Sequence, residues 1–252
     1  MRRVTTALIA ALALAGLLAT GLSVAGCGGG SSADVPSDAV ATVGGVPVTK
    51  ADFQQLMTQA QTQMKASGMT VPKAGSATYD HYVAQIVSYL VQEQVVAQSA
   101  KQLGVSVTDK EVAAQVAQIE KAYGGEQKVL SLLKQQGMTM ELLKRSVKDQ
   151  LLSQRAGAVV TKAATVSDQE IQAYWNAHKS DYQKQKTTNT LAKAKATIQQ
   201  TLLSAKKQQL WDQWMQKREK ALGVSYAAGY DPAALTKAAT SASPSASASA
   251  TP

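Results

Sequence analysis

The chain contains 252 residues, with 26 Lys and Arg side chains against 17 Asp and Glu side chains, and its formal net charge is +9. A single cysteine excludes an intramolecular disulfide and a cysteine-rich zinc site, and two histidines give little material for a histidine-built metal site. We therefore predict a protein without a metal ion or another cofactor.

The first residues are typical of a bacterial export signal. Arg2 and Arg3 precede a stretch, residues 4–25, that carries no charge. This stretch runs into Val-Ala-Gly-Cys27, which resembles the lipobox of bacterial lipoproteins, whose cysteine becomes the lipid-modified N-terminus. We expect residues 1–26 to be a lipoprotein signal peptide and Cys27 to anchor the protein at the extracytoplasmic face of the bacterial cell membrane. The alternative is an uncleaved transmembrane helix, because about 20 apolar residues span a bilayer.

Both ends of the remaining chain are predicted to lie outside the folded domain. Residues 27–38 include the run GGGSS and are predicted to form a flexible tether. The chain closes with TSASPSASASATP, which has no charge and no large apolar side chain, and we expect residues 232–252 to form a disordered tail. The predicted domain covers residues 39–231, a length that can bury one core.

The domain is predicted to begin and end with short strands. Residues 40–43 form an apolar run, a Gly-Gly turn follows, and residues 46–48 return as a second strand. Thr49 then begins a helix, with Asp52 placed as a variant of a capping box. Residues 224–226 are extended after the last helix, and we predict that they pair with residues 40–43.

Helices fill the rest of the domain. Two full capping boxes, Thr108 with Glu111 and Ser167 with Glu170, mark helix starts. Further helices are predicted over about residues 78–103, 126–136, 140–163 and 190–222, from apolar spacing and from glycines that follow them. The expected fold class is mainly α, a multi-helix domain with a small β pairing of its N- and C-terminal segments.

Four segments follow one another in the domain: the opening VATVGGVPVTKADF, the step LGVSVTDKEV, the segment VSDQEIQAYW, and the long helix with its closing strand from Ala194 to Tyr226. In this order they resemble the PrsA and SurA families of foldases and chaperones, with Gly44 where Asn is usual. The resemblance covers about residues 39–230. It implies a helical chaperone domain of the SurA N-terminal, PrsA-like type.

The chain departs from that family pattern at one place. In the relatives, a parvulin peptidyl-prolyl isomerase domain lies between the last two segments, whereas here Tyr182 is followed by QKQKTTNT and the final helix. A connection of this length cannot hold a domain of about 100 residues. We therefore predict a foldase without the isomerase domain, which is not an enzyme and has no catalytic residues. Residual isomerase activity remains as an enzymatic alternative.

Flexible and aromatic apolar side chains are the candidates for binding unfolded chains. Thioethers adapt to varied apolar partners, and two tryptophans three residues apart share one face of the last helix. The candidate client-binding residues are Met57, Met64, Met138, Met140, Trp211 and Trp214. The alternative for each of them is packing in the core.

The surplus positive charge of the mature chain lies in residues 179–220, which contain ten basic and three acidic side chains. The predicted basic patch consists of Lys193, Lys195, Lys206, Lys207, Lys217, Arg218 and Lys220. Such a patch would face anionic lipid, wall polymers or acidic clients, and the alternative is a solvated helix face. We expect no nucleic-acid partner, because only one of the ten is arginine and few aromatic side chains are interleaved.

These features together predict a membrane-anchored extracytoplasmic chaperone that assists the folding of secreted proteins by binding unfolded chains without ATP. The alternative, from another functional class, is a structural or adaptor lipoprotein that holds one specific envelope partner.

Overall fold

The computed structural model describes residues 35–184 and 187–241. The predicted signal peptide, Cys27, most of the predicted tether and the end of the predicted tail lie outside these ranges. Within them the fold is mainly α, with one small antiparallel sheet, as the sequence predicts.

The sheet joins the two ends of the described chain. Strand β1 (Ala39–Val43) lies in the centre, with β2 (Val46–Thr49) on one side and β3 (Val224–Tyr226) on the other, both antiparallel to it. Every residue of β1 is buried. Ala41 is paired with Tyr226, which confirms the predicted pairing of the N- and C-terminal segments.

The main core lies between this sheet and two helices, α1 (Lys50–Ala66) and α2 (Ala77–Leu103). Thr49 caps α1 as predicted, since its hydroxyl oxygen accepts from the Asp52 amide at 3.0 Å. Helix α2 ends at Gly104, which takes a φ of 66°. Apolar side chains of α2, such as Val87, Val91 and Val95, are fully covered.

A second apolar cluster is built by α3 (Asp109–Tyr123), α4 (Glu126–Gln135) and α5 (Met140–Val160). Its centre contains Val129, Leu133 and Val147, each almost completely buried. The capping box of Thr108 and Glu111 is present at the start of α3, as predicted. Helix α5 also packs against α2, so it connects the second cluster to the main core.

Two long helices form a third unit that we call the arm. Helix α6 (Asp168–Gln183) and the first half of α7 (Leu191–Leu222) bury Ile171 and Trp175 against Ala194 and Ile198. The predicted capping box of Ser167 is present at the start of α6. The second half of α7 returns to the main core, so the buried face of this helix turns along its length.

The structure corrects the predicted tail. Residues Pro232–Ser241 form a helix, α8, that packs along α2, so the prediction of disorder is wrong for this part of residues 232–252. Asp231 accepts from the Ala233 amide through its Oδ1 at 2.9 Å, and Pro232 occupies the first helical turn. The side chain of Leu235 then packs against the main core, which supplies the burial that composition alone did not indicate.

In residues 35–184 and 187–241, we find no helix that combines the length and the apolar character needed to cross a membrane. The same residues contain no group of three or more His, Cys, Asp or Glu side chains arranged to hold a metal ion.

Candidate functional site

Two of the candidate methionines belong to the core. Met57 and Met64 lie on the inner face of α1 and are 8% and 6% exposed. Met57 packs among the main core residues. The structure therefore favours the core alternative for both residues and corrects their assignment to a client-binding surface, because their thioethers are covered by protein.

The other two candidate methionines lie at the edge of the second cluster. Met138, in the connection between α4 and α5, and Met140, the first residue of α5, are half-buried against it. Gln59 on α1 lies close to this connection, with its Nε2 3.1 Å from the sulfur of Met138. This contact brings α1 and the α4–α5 connection together, although they are distant in sequence.

Trp211 and Trp214 form an aromatic pair on α7, as their spacing predicts. Their ring centroids are 5.1 Å apart with an interplanar angle of 31°, and both rings are half-buried against the main core. Trp211 lies against the backbone of α5 at Gly157, where an added Cβ would be 4.0 Å from its ring. The pair therefore contributes to packing and leaves part of its surface accessible.

The predicted basic residues do not form one continuous free surface. Lys195 pairs with Asp168 at 2.9 Å, and Lys206 pairs with Glu170 at 2.6 Å, so both lysines hold the arm together. Arg218 points into the protein and donates from Nε to the buried Ser99 Oγ at 3.0 Å. The remaining members of the patch are exposed on α7: Lys193, Lys207, Lys217 and Lys220.

Ion pairs and capping hydrogen bonds lower the pKa of two carboxylates, Glu170 in the arm and Glu111 at the start of α3. The hydrogen bond from Lys206, together with those from Ser167, lowers the pKa of Glu170 to about 2. Glu111, in the other capping box, is bonded by Arg155 and by Thr108, and its pKa is likewise lowered to about 2. Both carboxylates are therefore ionised at neutral pH and carry structural contacts.

A polar network lies where α1, α2 and α5 meet. Arg145 on α5 donates to Asp52 Oδ1 at 2.7 Å and lies 3.8 Å from Asp149. Next to them on α2, the Tyr89 hydroxyl donates to the carboxylate of Glu93. Burial, with a smaller contribution from Asp149, raises the pKa of Glu93 to about 7. Arg145 thus pairs with two carboxylates, those of Asp52 and Asp149, and its charge also acts on Glu93.

Sequence reasoning missed a groove between α1 and the α4–α5 connection. The groove has a volume of about 220 Å³, and its lining consists of Gln54, Gln55, Thr58, Gln59, Gln136, Gly137 and Met138. We call it the glutamine groove. It contains no charged side chain, and amide groups dominate it. The signal available in the sequence was the high number of glutamines in α1. A run of glutamines is equally typical of a solvated helix face, so it does not predict a binding site.

The comparisons with known proteins extend over most of the chain. Residues 1–157 match the family of SurA-like N-terminal domains. The foldase protein PrsA of Caldanaerobacter subterraneus subsp. tengcongensis is 27% identical over 189 residues, which is 73% of this chain and 56% of that protein. The foldase protein PrsA of Clostridium botulinum strain Langeland is 29% identical over 160 residues, 59% of this chain and 47% of that protein.

The chain thus spans about half the length of the curated relatives it matches. No solved structure matches it significantly. The family match extends from the N-terminus into α5, and it includes the sheet strands β1 and β2 and both sides of the glutamine groove. From this match, and from the helical fold that accompanies it, the chain belongs to the SurA-like N-terminal domain family.

Proposed function

We propose that this protein is an extracytoplasmic chaperone of the foldase type, which binds unfolded chains of secreted proteins without ATP and is held at the membrane by a lipid on Cys27. The observation that carries the proposal is the family match, together with relatives that are named foldases. The lipobox ending in Cys27 supports the location. Binding would use weak contacts to accessible apolar side chains.

Several accessible apolar side chains support this mode of binding. Trp211 and Trp214 present a partly open aromatic pair on α7, and Met138 and Met140 are half-buried at the edge of the second cluster. Met69 is 54% exposed in the connection after α1. Scattered apolar contacts of this kind suit a protein that holds many different unfolded segments, because no single contact has to match.

We propose that this chain has no isomerase domain between α6 and α7. Helix α6 ends at Gln183 and α7 begins at Leu191, which leaves seven connecting residues. We expect no acceleration of proline-limited refolding by this chain. A clear acceleration that is lost on heat inactivation would contradict this expectation.

Suppression of aggregation tests the chaperone activity. A reduced, unfolded secreted protein is diluted from denaturant with the full chain in excess and without ATP, and light scattering is followed. We expect scattering to fall as the concentration of the chain rises. An unchanged trace at excess chain would refute the proposal. A pull-down that recovers one folded envelope protein and no unfolded ones would favour the adaptor function.

Lipid anchoring is tested by Cys27→Ser in the full chain expressed with its signal peptide. We expect the wild-type chain to sediment with membranes and to gain the mass of a lipid, and the variant to lose both. Membrane association of Cys27→Ser equal to that of the wild-type chain would favour the uncleaved helix over the lipid anchor.

The exposed lysines of α7 are the remaining candidates for contact with anionic lipid or wall polymers. We expect the full chain to bind vesicles containing phosphatidylglycerol better than neutral vesicles, with weaker binding as salt is added. Replacing Lys207, Lys217 and Lys220 by Gln should reduce this preference. The matched control is Lys195→Gln, whose lysine is already paired with Asp168.

A further inference from the structure

The glutamine groove has an acceptor that the protein does not satisfy. The Oε1 atom of Gln136 is buried and accepts no hydrogen bond from any described residue. Gln136 forms the C-terminal cap of α4 and lines the groove. A buried acceptor without a donor is unfavourable by about 1–3 kcal/mol, so this amide gains if a rotation brings its oxygen to a donor in the groove.

The opposite wall of the groove has a donor whose present partner is weak. Gln59 is 8% exposed, and within the described part of the chain its Nε2 donates to the thioether sulfur of Met138. A thioether is a poor acceptor compared with a carbonyl oxygen. The two walls therefore hold one amide whose covered oxygen has no donor and one amide whose donor has only a weak acceptor. A ligand amide would satisfy both better than the protein does once the Gln136 amide rotates into the groove.

We propose that the glutamine groove binds the backbone of an extended polypeptide. Gln59 would donate to a carbonyl oxygen, and Gln136 would accept from a backbone amide after its side-chain amide rotates from its covered position into the groove. This inference rests on the proposed chaperone function, and it identifies both a site and the chemical group that is recognised. Backbone recognition does not depend on the sequence of the client, so it complements the apolar contacts already described.

The chemistry of the lining favours this ligand over others. With no Lys, Arg, Asp or Glu in the lining, the groove offers nothing to neutralise a phosphate, a carboxylate or a cation. Its volume of about 220 Å³ is below the range of typical small-molecule pockets, which begins at about 300 Å³. A primary amide side chain carries a donor and an acceptor in the same arrangement as a peptide group, and Gly137 leaves room for close approach of a chain.

Binding of two labelled peptides tests the proposal. The first is a short uncharged peptide of alternating Val and Thr, and the second has the same side chains but N-methylated nitrogens at alternate residues, which removes their N–H donors. With the full chain, we expect fluorescence anisotropy to show about tenfold weaker binding of the N-methylated peptide, since one to two backbone hydrogen bonds are lost.

Variants of the groove locate the binding. Gln136→Met and Gln55→Met should weaken binding of the first peptide, and Gln136→Met should reduce the difference between the two peptides. The matched control is Gln127→Met, because Gln127 lies on α4 but is exposed outside the groove. Gln136→Met removes no hydrogen bond of its side chain in the described structure, so we expect it to fold with unchanged or higher stability.

The outcomes separate this inference from the proposed function. If the chain suppresses client aggregation but binds both peptides equally, or if the groove variants bind like Gln127→Met, the groove proposal is overturned and the chaperone proposal stands. If the wild-type chain neither binds the first peptide nor suppresses aggregation, both proposals fail.

Discussion

The backbone amide of Gly44 donates to the carbonyl oxygen of Gly223 at 3.0 Å, which joins the β1–β2 turn to the end of α7. Gly44 has a φ of 57°, and a Cβ at this position would lie 2.7 Å from Gln98 Oε1. The same Gln98 side chain donates from Nε2 to the Val43 carbonyl oxygen at 2.7 Å. The turn, α2 and α7 therefore meet at one point, where a Cβ on Gly44 would have to displace the Gln98 amide.

Replacing Gly44 by Ala is expected to lower the free energy of unfolding by about 2 kcal/mol, of which about half is backbone strain and half is displacement of Gln98. Urea denaturation followed by circular dichroism measures the change. The matched control is Gly45→Ala, where φ is 77° but no atom lies within 4 Å of the added Cβ. We expect the control to lose about 1 kcal/mol, and equal losses for the two variants would contradict the close contact.

Glu93 is expected to make stability depend on pH near neutrality. Its pKa is raised from 4.5 to about 7 in the folded protein, so the folded state binds a proton that the unfolded state has already released. The free energy of unfolding should therefore fall as pH rises from about 4.5 to 7, by at most about 3 kcal/mol, and stay level above that.

The variant Glu93→Gln provides the control for this effect. It keeps an acceptor for Tyr89 but cannot ionise, so the decline in stability between pH 4.5 and 7 should be strongly reduced in urea titrations. The charges that face Glu93 in the fold belong to Asp52, Arg145 and Asp149, and none of them is changed. A decline of the same size in the variant would assign the pH dependence to other groups.

Glu170 makes the free energy of unfolding depend on pH in the opposite direction. Its pKa is lowered from 4.5 to about 2, so its contribution to stability is present above about 4.5 and is lost as pH falls towards 2. We expect Glu170→Gln to weaken the arm at neutral pH and to reduce its loss of stability in acid. Trp175, buried between α6 and α7, gives a local fluorescence signal for this transition. Identical acid midpoints for variant and wild type would contradict the role of this carboxylate.

Helix α8 depends on its cap. Asp231 accepts from the Ala233 amide, so Asp231→Ala should lower the free energy of unfolding by about 1 kcal/mol. Asp231→Asn, which retains the acceptor oxygen, should be close to wild type. Hydrogen exchange of the α8 amides, measured by mass spectrometry, should be faster in the alanine variant and unchanged in the asparagine variant. Equal exchange in both variants would mean that packing alone holds the helix.

Most helix starts and the β1–β2 hairpin could be predicted from sequence because their signals are local. Thr49, Thr108 and Ser167 lie at their helix starts, as the capping patterns predict. Helix α8 was missed because its composition resembles the Ser/Ala/Pro tail that follows, although the Asp-Pro pair at 231–232 is a recognisable start signal.

The site was harder to predict than the fold, because burial and pairing depend on tertiary packing. The sequence does not distinguish a covered methionine such as Met57 from an accessible one such as Met69, because only the packing around the side chain differs. Likewise, Lys195 and Lys206 belong to a positively charged run in the sequence, but in the fold each pairs with an acidic side chain of α6. The glutamine groove depends on α1 and on the α4–α5 connection, which lie in different parts of the chain, so no local pattern predicts it.

The order of the sheet has a consequence for how this protein reaches its native state. The central strand β1 is the first element of the described chain, but its partner β3 is made only after all of the first seven helices. During synthesis, β1 can pair with β2 at once, while its other edge stays unpaired until nearly the whole described chain has emerged. Closing such a long loop is slow relative to local helix formation. A protein proposed to protect unfinished chains is therefore itself, for most of its own emergence, a chain with an open strand edge.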